Sequence, residues 1–231
     1  MLNKYQESIN WLFEQFPSYQ FKGASAYKPG LENTISLLQA FDNPQEKLKF
    51  IHVAGTNGKG STCSFLTSLL IEKGEKVGLF TSPHIYDFRE RIRINGIEID
   101  QAFVIDFCEK IKQIQLNFSP SFFEITLAMA LCYFQQEKCS IVVLETGLGG
   151  RLDATNVVSP LISVITNIGI DHTQFLGETI EAIAFEKAGI IKNDRQIVIG
   201  ERQIETTIVF EKKAQEQNTS IIFSQEFKLP F

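Results

Sequence analysis

The stretch His52-Val53-Ala54-Gly55-Thr56-Asn57-Gly58-Lys59-Gly60-Ser61-Thr62 decides the fold. An apolar run precedes it and an amphipathic run follows it, so the sequence predicts a strand, a glycine loop and a helix in that order. Glycines let the backbone N–H groups turn inward on an anion, and the N-terminus of the helix adds positive charge. The stretch therefore predicts a polyphosphate-binding loop made of Gly55, Thr56, Asn57, Gly58, Lys59, Gly60 and Ser61.

The loop departs from the standard phosphate-loop pattern G-x-x-x-x-G-K-[ST] at two positions. Val53 stands at the first glycine position, and Gly60 separates Lys59 from Ser61. A solvent-side turn capped by serine or threonine is the simpler interpretation of such a stretch, but the flanking strand and helix favour phosphate binding. Lys59 would then place a point charge on the outer phosphates, and the hydroxyl of Ser61 or Thr62 would bind phosphate or Mg²⁺.

Composition excludes several classes of function. The chain has 231 residues, 44% hydrophobic and 21% charged, with a net charge of −5, which is typical of a soluble globular protein. The acidic balance gives no basic field for nucleic acid or a membrane surface, and no apolar run is long enough for a membrane span. No signal peptide is recognisable, so we expect a cytoplasmic protein. Four cysteines without a C-x-x-C pair predict buried thiols rather than zinc ligands or disulfides.

Apolar periodicity predicts an α/β fold, a phosphate-loop-type, mostly parallel sheet with helices on both faces. The expected strands are 50–54, 76–80, 140–145, 161–166, 196–199 and 219–223. The expected helices are 3–16, 31–41, 60–73, 101–116, 121–136, 179–188 and 203–217. Ligands of such sheets collect at the carboxyl ends of the strands, so the residues that follow each strand are the candidates for chemistry.

Three of these post-strand segments are unusual. Glu145 ends an apolar strand, as Mg²⁺ ligands of nucleotide-binding sheets often do. Asp171-His172 follows the next strand, and Thr81-Ser82-Pro83-His84 leads into the arginine-rich segment 86–93. Each has a structural alternative: Glu145 could cap a helix or pair with a nearby arginine, His172 could be a half-buried structural histidine, and the arginines could be a solvated face. Their convergence on one sheet edge favours a site.

These segments resemble successive sequence blocks of the folylpolyglutamate synthase and dihydrofolate synthase family of the Mur ligase superfamily. Three further stretches share the resemblance: Ser121-Phe122-Phe123-Glu124, the block 144–156 and Glu186-Lys187-Ala188-Gly189-Ile190-Ile191. The resemblance implies the central-domain fold of Mur ligases. It also implies that Gly58, Lys59, Gly60 and Ser61 hold the phosphates of ATP. By the same resemblance, Ser82, Glu145 and His172 would hold Mg²⁺, and Lys59, His172 and Lys187 would act in catalysis, with Lys187 open to carbamylation. The substrate residues that it implies are Lys28, Gly30, Ser121, Phe122, Phe123, Leu152, Asp153 and Ala154.

The family's reaction suits these residue types. ATP phosphorylates a substrate carboxylate, and the amine of L-glutamate then displaces phosphate to form an amide. The resemblance implies dihydropteroate or a reduced folate as acceptor, Phe122 and Phe123 stacking on its flat ring, and the arginine segment as a mobile cover. We expect residues 1–231 to form the N-terminal ATP-binding domain, without the C-terminal glutamate-ligase domain, as a monomer with little turnover of its own. A muramyl-type ligase domain and a non-catalytic nucleotide-binding module remain alternatives.

Overall fold

A computed structural model describes residues 2–16 and 30–226. Its centre is an eight-stranded sheet in the order β4-β3-β2-β5-β1-β6-β7-β8. The strands are β1 Phe50–Ala54, β2 Val77–Phe80, β3 Ile92–Ile94, β4 Ile97–Glu98, β5 Ile141–Glu145, β6 Ile162–Ile165, β7 Gln196–Ile199 and β8 Ile221–Phe223. Every neighbouring pair is parallel except β2–β3 and β3–β4, which confirms the predicted mostly parallel sheet.

Eight α-helices surround the sheet in the described part of the chain. They are α1 Leu2–Gln15, α2 Glu32–Gln39, α3 Lys59–Glu72, α4 Gln101–Gln113, α5 Phe122–Gln136, α6 Thr173–Leu176, α7 Ile180–Ala188 and α8 Ile204–Glu216. Short 3-10 turns occupy Pro44–Lys47, Phe88–Arg91, Ala154–Val157 and Ser224–Glu226. The predicted elements agree with these bounds to within three residues at each end, because apolar periodicity marks buried faces better than element ends.

Alternation along the strands divides the core between the two faces of the sheet. Phe50 and Leu144 point into a core that contains residues of α1, α2, α4 and α5. Ile51 and Val143 point to the opposite side, where they pack with Cys63 and other residues of α3. The parallel strands are therefore covered on both faces, as their continuously apolar sequences predict.

The hairpin β3–β4 was missing from the predicted elements. Segment 86–93 was predicted to be a loop, but it contains a 3-10 turn and the start of a strand paired with β2. Asn95 and Gly96 form the hairpin turn with φ angles of 49° and 81°, which is the backbone that an Asn-Gly pair favours. Charged residues on the outer face concealed this strand, although its Asn-Gly turn was visible in the sequence.

The cysteine prediction is confirmed. All four cysteines are free thiols, three of them buried and Cys132 partly buried. Burial raises the pKa of the Cys108 thiol to about 12, so it stays protonated. No helix in the described ranges is both long and apolar enough to cross a lipid bilayer.

Candidate nucleotide-binding and metal site

The predicted phosphate loop connects β1 to α3. Gly55 and Gly58 have φ angles of 147° and 78°, a backbone region that side chains other than glycine rarely adopt. Gly58 is the N-cap of α3 and no side chain caps the helix. The first N–H groups of α3, at residues 59–61, therefore lack intrahelical acceptors and can bind an anion.

Two lysine side chains meet at this loop. Lys59 Nζ donates to the carbonyl oxygens of Gly55 at 3.0 Å and Thr56 at 3.1 Å. Lys187, which is only 3% exposed, donates from Nζ to the same Gly55 oxygen at 2.9 Å. Burial, followed by the charge of Lys59, lowers the pKa of Lys187 to about 8. In the unmodified chain, two ammonium groups therefore share one carbonyl oxygen at the phosphate loop.

Glu145 lies beside the start of α3 and is 3% exposed. Its Oε2 accepts a hydrogen bond from the backbone N–H of Ser82 at 3.0 Å. Both carboxylate oxygens would lie 3.8 Å from a Cβ built on Gly60, so the carboxylate faces the phosphate loop. Burial raises the pKa of Glu145, while Lys59 and the Ser82 N–H act in the opposite direction. The structure thus brings together Ser82, Glu145 and the loop.

His172 lies at the N-terminus of α6 with a φ angle of 47°. Its Nε2 is 3.5 Å from Asp171 Oδ2, and its side chain is 36% exposed. Within residues 2–16 and 30–226, no three His, Cys, Asp or Glu side chains form a cluster that could hold a metal. An ion held by Glu145 and His172 would therefore draw its remaining ligands from hydroxyl, water and phosphate oxygens, and oxygen is the ligand atom that Mg²⁺ prefers. The donor set fits Mg²⁺ bound with a nucleotide.

Asp153 is turned into the protein and organises the glycine segment 147–150. Its Oδ2 accepts the N–H groups of Gly147 at 2.9 Å and Leu148 at 2.8 Å. Its Oδ1 accepts from the N–H of Thr155 at 3.0 Å and also from the Thr155 hydroxyl. Thr155 Oγ1 lies 2.8 Å from Nε2 of the fully buried His52. Asp153 therefore shapes the loop that follows Glu145, a role that its sequence position did not reveal.

The other predicted substrate residues fall into two groups. Ser121 caps α5 through a capping box with Glu124, and Glu124 accepts a hydrogen bond from Thr34 of α2 at 3.1 Å. This contact ties α5 to the helix that follows Gly30. Leu152 is partly exposed, Ala154 belongs to the core, and Lys28 lies outside the described residues.

The two phenylalanines differ in their surroundings. Phe122 is 2% exposed, and its ring stacks on Phe13 at 4.6 Å between centroids. The guanidinium of Arg91 lies 5.4 Å from the centroid of the same ring. Phe13 and Arg91 therefore already occupy positions against the Phe122 ring where the predicted ligand would stack. Phe123 is only partly buried. Its ring lies against Gly147, so closely that a Cβ at position 147 would collide with it.

The arginine-rich segment is held by hydrogen bonds rather than loosely exposed. The Glu90 carboxylate accepts the N–H groups of Ile85, Tyr86 and Asp87 at 2.8 to 2.9 Å. Arg91 is 3% exposed, so it is not part of a solvated face. Its Nε donates to His84 Nδ1 at 2.7 Å, and burial together with Arg91 lowers the pKa of His84. The lowered pKa and the hydrogen bond from Arg91 both favour the neutral form of the His84 imidazole.

The fold and the loop define the class of protein. Residues 53–228 match the Mur ligase middle domain family, and the chain belongs to that family. It is 41% identical over 242 residues to the dihydrofolate synthase/folylpolyglutamate synthase of Bacillus subtilis, covering 98% of this chain and 54% of that protein. The chain spans about half the length of the curated relatives that it matches.

Solved structures of related enzymes support the same family assignment. Folylpolyglutamate synthase from Thermotoga maritima is 40% identical with a TM-score of 0.84, covering 95% of this chain and 49% of that one. Escherichia coli FolC in complex with DHPP and ADP is 35% identical with a TM-score of 0.83, covering 94% and 51%. The resemblance seen in the sequence is confirmed.

Proposed function

We propose that this chain binds Mg·ATP and an acceptor carboxylate for an ATP-dependent ligase that adds L-glutamate to dihydropteroate or to a reduced folate. The observation that carries the proposal is the meeting of Lys59, Lys187 and Glu145 around one phosphate loop. The names of the relatives support the reaction class, and a related structure contains an ATP analogue together with folate.

In this proposal the residues act mainly by binding and alignment. The N–H groups of residues 58–61 hold the phosphates, and Lys59 leaves its carbonyl acceptors to neutralise the outer phosphate. Attack of a carboxylate on the γ-phosphoryl group brings two anions together, so this charge neutralisation matters most for the first step. The carboxylate oxygen bonds to the γ-phosphorus as the β–γ bond breaks, which gives an acyl phosphate and ADP. The amine of L-glutamate then attacks the acyl carbon, and the amide forms with release of phosphate.

Mg²⁺ would be held by Glu145, Ser82 and His172, and it would supply positive charge to the phosphate oxygens. Glu145 suits this role because its carboxylate is already oriented by the Ser82 N–H. His172 would serve as a neutral ligand rather than a general base. We further propose that Lys187 becomes carbamylated: its neutral amine attacks CO₂ and loses a proton, which replaces a buried cation by an anion. Its pKa of about 8 supports this step by supplying neutral amine near neutral pH.

The acceptor would bind near Ser121, Phe123 and Leu152, with Gly30 on the α2 side and Ala154 beneath. Lys28 stays a sequence-based candidate for the same ligand. Asp153 would act from below by shaping segment 147–150, and Phe122, stacked on Phe13 in the core, would not touch the acceptor. The partly buried ring of Phe123 beside polar groups suits a flat heteroaromatic ligand.

Binding calorimetry tests the proposal directly. The chain is titrated with the ATP analogue AMPPCP and Mg²⁺, and then with dihydropteroate, tetrahydrofolate or a nucleotide-linked muramyl acceptor. We expect the analogue and one pterin ligand to bind and the muramyl acceptor not to bind. Binding of the muramyl acceptor alone would favour the muramyl-type ligase, and binding of nucleotide without any acceptor would favour a nucleotide-binding module.

A further inference from the structure

The segment that follows β6, residues 166–169, is hydrogen-bonded to the first half of the phosphate loop. The N–H of Thr56 donates to the carbonyl of Asn167 at 2.9 Å, and the N–H of Asn57 donates to the side-chain oxygen of Asn167 at 2.9 Å. The Thr166 hydroxyl donates to the Asn57 carbonyl at 2.7 Å. The hydroxyl of Thr56 donates to the Gly169 carbonyl at 3.2 Å and accepts the Gly169 N–H at 3.0 Å.

These bonds divide the loop into two parts with different tasks. The N–H groups of Thr56 and Asn57 already have protein acceptors, so they are not available to a phosphate. The N–H groups of residues 58–61 are left for the anion. Because a phosphate loop works by aiming several N–H groups at one point, whatever fixes residues 56 and 57 also fixes where residues 58–61 point.

Thr166 is packed directly against the loop. A Cβ built on Gly55 would collide with the Thr166 hydroxyl, and a Cβ on Gly200 would collide with the Thr166 carbonyl oxygen. The threonine is thus held between two glycines at the carboxyl end of β6. Its hydroxyl cannot move far without losing the Asn57 bond, which gives the contact a defined geometry.

We infer that Thr166 and Asn167 are positioning residues for the nucleotide phosphates. The inference rests on the proposed function, because it assigns a task in ATP binding to residues outside the loop itself. The two side chains contact the loop backbone and no reacting atom. Their contribution is to hold the open N–H groups in the orientation that a polyphosphate needs before it arrives, which lowers the cost of ordering on binding.

The central experiment compares Thr166→Val with Thr166→Ser. Valine keeps the branched shape and loses the hydroxyl, whereas serine keeps the hydroxyl. Affinity for AMPPCP with Mg²⁺, and for inorganic tripolyphosphate with Mg²⁺, is measured by calorimetry, and the thermal unfolding midpoint is measured in parallel. We expect valine to weaken both ligands about tenfold, the loss typical of one well-placed hydrogen bond, and serine to stay within about twofold of wild type.

Asn167→Ala is the second variant, because it removes the acceptor of the Asn57 N–H without touching Thr166. It should weaken both ligands about as much, with an unfolding midpoint close to that of wild type. Wild-type affinity in Thr166→Val and Asn167→Ala would overturn the positioning role, and so would loss of cooperative unfolding in both, which would make the role structural. Failure of wild type itself to bind AMPPCP would overturn the proposed function, and the inference with it.

Discussion

The backbone N–H of Ser82 donates to Oε2 of Glu145 at 3.0 Å. This bond holds a carboxylate that burial would otherwise drive toward its protonated form, since burial raises its pKa. A raised pKa in the folded state means that the ionised form lowers the stability of the fold, a cost present once the pH exceeds the pKa of the unfolded group. The fold keeps this carboxylate in place at the expense of stability.

Glu145→Gln should separate binding from stability. Glutamine keeps an oxygen for the Ser82 N–H and removes the charge, so at pH 7 the free energy of unfolding should equal or exceed that of wild type. The gain in AMPPCP affinity that Mg²⁺ confers should fall about tenfold or more, because a charged oxygen ligand is lost. Calorimetry with and without Mg²⁺ measures this gain in affinity. Glu205→Gln, at an exposed position of α8, is the control. Equal Mg²⁺ dependence in both variants would contradict the metal role of Glu145.

The stability of the fold should depend on the charge of Lys187. Its pKa is about 8 in the folded state and about 10.4 in an unfolded chain, so the unfolded state binds more protons between these values. The contribution of Lys187 to the free energy of unfolding should therefore rise with pH across this window, by about 1–3 kcal/mol. Lys187→Met lacks this rise, so its stability advantage at about pH 7 should shrink at about pH 9.5. Urea unfolding in CO₂-free buffer measures the difference, and a difference independent of pH would refute the buried-cation assignment.

Asp153→Asn should loosen segment 147–150. The substitution turns one carboxylate oxygen into an NH₂ group that faces the donors on Gly147, Leu148 or Thr155, so at least one buried donor loses its acceptor. We expect a loss of about 1–3 kcal/mol in the free energy of unfolding, together with weaker acceptor binding. Asp106→Asn, on an exposed position of α4, should change stability by less than about 0.5 kcal/mol. Urea unfolding measures the free energy of unfolding of both variants. Equal stability of Asp153→Asn and Asp106→Asn would argue against the role of Asp153 in organising segment 147–150.

The two phenylalanines at the start of α5 should respond in opposite ways. Phe122→Leu removes a ring stacked in the core and should lower the free energy of unfolding by about 1–2 kcal/mol, with dihydropteroate affinity unchanged. Phe123→Leu should have a smaller effect on stability and weaken dihydropteroate severalfold. Thermal unfolding and calorimetry on the two variants form a matched comparison, and loss of affinity from Phe122→Leu alone would reverse the assignment.

Local sequence patterns were sufficient for most of the fold. The phosphate loop lies between a strand and a helix as predicted, and β7 spans the predicted residues 196–199. Apolar runs and glycines carry this information within a few residues of the chain. The hairpin β3–β4 was missed because arginine and glutamate side chains cover its outer face, although Asn95-Gly96 between apolar residues is a hairpin signal.

The sequence was sufficient to predict which residues gather at the site, but not what each of them contacts there. Glu145 and Lys187 reach the loop as post-strand and helix-end residues of one sheet edge. Nothing local distinguishes the buried Asp153 from a ligand-facing one, because its direction depends on a loop that closes around it. Asn167, which accepts the N–H groups of both Thr56 and Asn57, lies 110 residues beyond Asn57, so no periodicity indicates it.

That separation has a consequence for how the protein is made. Gly55 and Lys187, which share a hydrogen bond, are 132 residues apart. β1 itself pairs with β5 and β6, which are synthesised long after it. On the ribosome the phosphate loop therefore emerges early, and its contact with Lys187 can form only after α7 has been translated. Pairing of such distant segments is slow, so a nascent chain arrested before Lys187 would carry the complete loop sequence without this contact.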